Sequence, residues 1–154
     1  MKSAAYSESK RRPVSSLEEA TYLELLRTTD ILSRGLDHIL KAADLSPTLY
    51  NVLRILRGAP AGLPCGEIAN RMITRDPDVT RLLDRLEKRN LISRSREIKD
   101  RRTVMARITP AGLKLLTHLD KPVQAGHRRQ LGHLGRRQLK ALTALLQLAR
   151  SHAA

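Results

Sequence analysis

The run LPCGEIANRMITRDPDVTRLLDRLEKRNLISRSREIKDRRTVMARITPAG, residues 63–112, decides how the rest of the chain is read. At its centre Val79, Leu82, Leu83 and Leu86 recur at i, i+3, i+4 and i+7, which places one apolar stripe along a helix. Arg81, Asp84, Arg85 and Lys88 fall on the opposite side. Asp76-Pro77 predicts the start of this helix, with Asp as cap and Pro in the first turn. Asn90 predicts its end, because Asn substitutes for Gly in a left-handed terminal position. A shorter helix, from residue 65 to about residue 72, comes first and carries Ile68, Ala69 and Met72 inward. Two short strands follow, 91–96 and 104–108, joined by the polar turn 97–102. In the second strand Val104, Ala106 and Ile108 alternate inward, and Met105 and Arg107 outward. A short helix, a tight turn, a helix with a basic outer face and a two-stranded wing is the pattern of a DNA reader.

Outward from this run, Ser46-Pro47 opens another helix with Ser as N-cap and Pro in the first turn. Leu49, Val52, Leu53 and Leu56 form its buried stripe, and Gly58 closes it. Before it, Leu25, Leu32, Leu36, Ile39, Leu40 and Ala43 keep helical spacing over residues 17–43. After the strands, Thr109-Pro110 repeats the cap-and-proline signal. Two C-terminal helices follow, interrupted by Pro122, Gly126, Gly132 and Gly135, with the break near 132–135. The fold expected is mainly α with a small β-wing: a flexible basic arm over 1–16, a winged helix-turn-helix over 46–110, and dimerisation helices over 17–45 and 111–154. The terminal helices carry more apolar residues than a small reader can bury, so a second copy of the chain is their expected partner.

The chain has 154 residues, and Tyr6, Tyr22 and Tyr50 are its only aromatics. The core must therefore be aliphatic, and stacking platforms for single strands are lacking. The net charge of +14 comes from 29 basic and 15 acidic residues and favours a polyanionic partner. Acidic residues gather in the first long helix; basic ones gather in the reader and the C-terminal helices. One cysteine leaves no intrachain disulfide and no cysteine metal cage. His118, His127, His133 and His152 lack metal-ligand spacing, so no metal and no cofactor are expected. No apolar run follows the basic N-terminus and none reaches membrane-spanning length, which points to the cytoplasm. With no Gly-rich phosphate loop, nucleophile elbow or H-E-x-x-H, an enzyme is not expected.

Four stretches resemble the MarR family of bacterial transcriptional regulators: LSPTLYNVLRIL, LPCGEIANRM, DVTRLLDRLEKRNLISRS and IKDRRTVMARITPAGLKLL. The resemblance covers roughly residues 17–150. Most specific is the Asp-Arg-Arg wing followed by Ile-Thr-Pro-Ala-Gly. It implies a homodimer whose terminal helices interlock and whose readers project towards an inverted-repeat operator. It also implies a ligand-responsive repressor acted on by a small, often aromatic or anionic, effector. Leu49 stands where a glutamine is common, Pro64 where a Ser or Thr cap is common, and Asn90 where a glycine is usual. Asp76 and Asp78 make the start of the recognition helix acidic.

Arg81 and Arg85, one turn apart, suit a major groove, where Arg pairs bidentately with guanine; the alternative is a solvated face with Arg81 or Arg85 paired to Asp78 or Asp84. Thr80 suits a thymine methyl or a phosphate. Asp78 suits a cap, or else an acceptor for cytosine. Arg101 and Arg102 at the wing tip suit a narrow minor groove, and the resemblance makes Asp100 the residue that orients the wing arginine. Lys88, Arg94, Arg96 and Lys99 are expected on phosphates, which position without specifying. Cys65 opens a helix, where a thiol can be activated for redox sensing or simply sit as a small residue. His38, Tyr50 and Arg54 lie near where the resemblance places an effector, the other reading being packing or a solvated face. A non-sequence-specific architectural DNA binder is the alternative function.

Overall fold

The computed structural model describes residues 16–97 and 102–152. The chain divides into two compact units, residues 1–33 and 34–154, and the division falls inside the first helix. That helix, α1, runs Leu17–Lys41. It is followed by α2 (Pro47–Arg57), β1 (Leu63–Pro64), α3 (Cys65–Arg71), α4 (Val79–Lys88), β2 (Ile92–Arg96), β3 (Val104–Ile108) and α5 (Pro110–Leu131). A short 3₁₀ turn (Gly132–Leu134) then leads to α6 (Gly135–Ser151).

In the first unit, the described part of α1 carries Leu17, Tyr22, Leu26 and Ile31 exposed to solvent. The second unit holds the core, which is aliphatic apart from Tyr50. Leu49, Val52, Leu53 and Leu56 of α2, Ile68 of α3, and Leu82, Leu83 and Leu86 of α4 are buried together. Leu116, Leu119 and Val123 of α5 join the same cluster, as does Leu40 at the end of α1. The start of α5 therefore belongs to the reader's core.

Local chemistry sets the ends of the elements. Ser46 and Thr109 cap α2 and α5 as expected, their side chains accepting from the N–H of Leu49 and Gly112, with Pro47 and Pro110 in the first turns. Pro64 precedes α3 without a side-chain cap. Helices α1 and α4 end alike: Asp44 and Asn90 take positive φ, 51° and 56°. The next residue's N–H in each case, Leu45 or Leu91, returns to the carbonyl five residues earlier. This closure satisfies carbonyls that a helix end leaves open. Gly112 lets α5 sit hard against the reader: a Cβ there would lie 2.3 Å from the Leu91 carbonyl oxygen.

Three expectations need correction. The wing sheet has three strands, all antiparallel, in the order β1-β3-β2, because Leu63 and Pro64 pair with Ala106 and Met105. The cap of α4 is Asp78, not Asp76: Asp76 accepts from the Asp78 N–H in a local turn that holds Pro77 outside the helix. Pro122 does not interrupt α5, which runs through it. Pro122 and His118, whose carbonyl loses the helical partner, are both exposed, so no buried orphan results.

Candidate nucleic-acid interface

The exposed surface of α4 follows from how its other face is held. Asp78 accepts from the Arg81 N–H at 3.0 Å, so its carboxylate serves as the cap, where it also complements the helix dipole. Leu82, Leu83 and Leu86 lock the inner face into the core. That leaves Thr80, Arg81, Arg85 and Lys88 exposed on one helix. Among the described residues, no ion pair commits Arg81, Arg85 or Lys88 to a carboxylate.

Arg94 has a different setting from the phosphate contact expected of it. Its guanidinium donates to Glu87 Oε2 at 2.6 and 3.0 Å and to Asp84 Oδ1 at 2.5 Å, and its backbone N–H donates to Glu87 Oε1. The side chain is only 21% exposed. The hydrogen bond from Arg94 holds the Glu87 carboxyl below the usual carboxylate range, and the same bond raises the Arg94 guanidinium. One arginine thus ties β2 to the recognition helix, and it neutralises the two carboxylates on that helix closest to the wing. Arg96, at the end of β2, and Arg102, just before β3, are exposed. Arg107 of β3 donates to Ser95 Oγ of β2 across the sheet. The wing-tip candidates Lys99, Asp100 and Arg101 lie outside the described residues.

The remaining candidates separate. The half-buried Cys65 Sγ lies 3.8 Å from the Val104 carbonyl oxygen, where it packs α3 against the sheet. Tyr50 and Arg54 come together: the guanidinium carbon of Arg54 lies 5.9 Å from the Tyr50 ring centroid. Both line an open cavity of about 390 Å³ between α2 and α5, with Arg57, Asp120, Val123, Gln124 and His127. His38 is exposed and does not line it. Sequence reading missed Arg57 and His127, which come to one cavity only through the α2–α5 packing; the i, i+3 spacing of Arg54 and Arg57 was the available signal. Arg57 donates to both Asp120 oxygens at 2.9 Å. Arg89, at the end of α4, donates to the carbonyls of Ala43 and Asp44, closing the end of α1. Among the described residues no helix is long and apolar enough to cross a membrane.

The MarR family model matches residues 45–104, which run from α2 into β3. The chain is 42% identical to a MarR transcription factor from Planctomyces limnophilus, over 87% of this chain and 98% of that one, with a TM-score of 0.69 between the structures. It is 28% identical over 130 residues to the HTH-type transcriptional regulator PecS of Dickeya dadantii, covering 83% of this chain and 78% of that protein. The fold is also that of AbsC, a MarR family transcriptional regulator from Streptomyces coelicolor, at 21% identity and a TM-score of 0.82, over 93% of this chain and 98% of that one.

Proposed function

The chain belongs to the MarR family of DNA-binding transcriptional regulators, and from that premise we propose that it is a homodimeric, sequence-specific repressor acting in the cytoplasm and released by a small effector. The observation that carries this reading is the exposed set Thr80, Arg81, Arg85 and Lys88 on a helix whose other face is locked into the core. In this reading α4 enters the major groove, where Arg81 and Arg85 read guanine. Arg101 and Arg102 follow the minor groove from the wing, with Asp100 supporting them, while Lys88, Arg96 and Lys99 meet phosphates. Arg94 acts from behind, holding the wing at a fixed angle to the helix. The effector, a small anionic or aromatic compound, occupies the cavity beside Tyr50 and Arg54.

Selection from a pool of random duplexes tests sequence specificity and yields the operator. An inverted repeat is expected, with half-sites about one helical turn apart, roughly 34 Å. On that operator Arg85→Ala relaxes preference at one base position per half-site and costs about 1–3 kcal/mol there. Lys88→Ala weakens binding nearly equally on every sequence and flattens the salt dependence. Equal losses on all sequences for both variants would leave an architectural DNA binder as the better description.

A further inference from the structure

The basic charge of this chain is not confined to the reader. Residues 111–154 carry eight Lys and Arg against a single acidic residue, Asp120, and Asp120 is already bound to Arg57. Most of that charge collects where α5 passes through the 3₁₀ turn into α6. The sequence there repeats itself: Arg-Arg-Gln-Leu at 128–131 returns as Arg-Arg-Gln-Leu at 136–139. Leu131 and Leu139 are half-buried and hold the two copies down, as does Gln130, whose side chain fills the space above Gly35. Arg128, Arg129, His133, Arg136, Arg137 and Lys140 are all exposed. None of them enters an ion pair among the described residues.

Two features separate this knuckle from the surfaces already described. Helix α5 leaves the wing directly after β3 and is 22 residues long, which puts the knuckle one helix length, about 33 Å, along it. On α6, at about 100° per residue, Arg137 and Lys140 lie away from Leu142 and Leu146, while Arg136 sits one turn before Leu139 on the flank between them. A partner helix covering Leu142 and Leu146 therefore leaves Arg137 and Lys140 facing out.

We infer that the α5–α6 joint is a second, sequence-independent surface for the phosphate backbone of double-stranded DNA, so that one molecule holds two duplexes. Four arginines in two adjacent pairs suit this ligand. Guanidinium forks match phosphate oxygens bidentately, and unpaired cations on a polyanion gain by counterion release. Without base-reading geometry, the surface binds any sequence.

The test is bridging. A biotinylated and a fluorescent duplex of random sequence are mixed with the protein, and fluorescence retained on streptavidin is read at about 50 and about 200 mM salt. The wild-type chain is expected to bridge at the lower salt and to lose most bridging at the higher. R128Q/R129Q/R136Q/R137Q is expected to bridge at least roughly tenfold less while binding the selected operator at about 200 mM salt within about twofold of wild type. If that variant does not fold, R128Q/R129Q and R136Q/R137Q made separately are each expected to lose part of the bridging. Bridging undiminished in folded variants would mean that the two readers of a dimer hold one duplex each, and would overturn the proposal. So would a wild-type chain that never bridges. Weaker self-association of the variants in sedimentation, alongside lost bridging, would instead assign the knuckle to the acidic α1 of a second copy and equally overturn it. Affinity for the selected operator at about 200 mM salt, where a sequence-independent surface contributes least, reports on the reader, so failure of the knuckle and failure of the reader are read separately.

Discussion

Arg94 reaches back seven residues to Glu87 and ten to Asp84, and no local pattern announces that pairing. Its consequence is pH-dependent. Glu87 titrates below its ordinary value of 4.5 in the folded chain, chiefly because Arg94 donates to the charged carboxylate. A carboxylate with a depressed folded pKa contributes stability that is fully present above its unfolded pKa. That contribution is lost as the pH falls through the folded value. Glu87 is 39% exposed, so solvent screening limits the contribution to about 0.5–1 kcal/mol. Glu87→Gln is therefore expected to be less stable than wild type by that amount at neutral pH. The two unfolding curves should converge once the pH drops well below 4.5. Urea titrations at a series of pH values measure it. A difference that persists unchanged into acid would show that Glu87 acts through packing or shape rather than through its charge.

Between elements, the seam of α2 and α5 sets what an effector can do. Arg57 is held by Asp120 across the seam, whereas the Arg54 guanidinium lies over the Tyr50 ring at the cavity wall. An aromatic carboxylate has a place for its ring beside Tyr50 and for its charge beside Arg54. A ligand that binds the folded state alone raises stability by mass action. Hydroxybenzoates are thus expected to raise the thermal midpoint of the wild-type chain, and Arg54→Ala to abolish the rise. A panel of such acids that moves neither the midpoint nor DNA affinity would remove this cavity as the effector site. The seam also marks where sequence reading stopped. Ser46-Pro47, Thr109-Pro110 and the left-handed Asn90 were legible because a cap or a closing turn is settled within a few residues. The same locality misled at Asp76-Pro77, where an equally local turn moved the cap to Asp78. Strand β1 was not legible, since two residues make no pattern until Ala106 and Met105 pair with them. The exposed face of α4 could be read from periodicity alone. The cavity beside Tyr50 could not, because Arg57 and His127 are 70 positions apart and line it together only through the packing of α2 on α5.

For the molecule as a whole, the apolar surface left uncovered is the informative quantity. Helix α6 has no buried residue, and Leu142, Leu145 and Leu148 stand exposed along it; Tyr22, Leu26 and Ile31 do the same on α1. Large apolar side chains left exposed along a helix mark association surfaces. A second copy is the partner that symmetry favours, because one self-complementary patch then covers itself twice. Dimerisation also bears on DNA binding. Joining two readers turns the second half-site contact into an intramolecular step, which raises affinity well beyond that of one reader. Leu142→Arg with Leu146→Arg places two charges in the proposed interface without touching the reader's core, to which neither residue belongs. Sedimentation at micromolar concentration is expected to give twice 17.3 kDa for the wild-type chain and 17.3 kDa for the variant. Operator affinity should fall by at least roughly a hundredfold in the variant, while its α-helical content and its binding to a single half-site persist. A wild-type chain that sediments as a compact 17.3 kDa species would remove the dimer, and the exposed leucines of α6 would then need another partner.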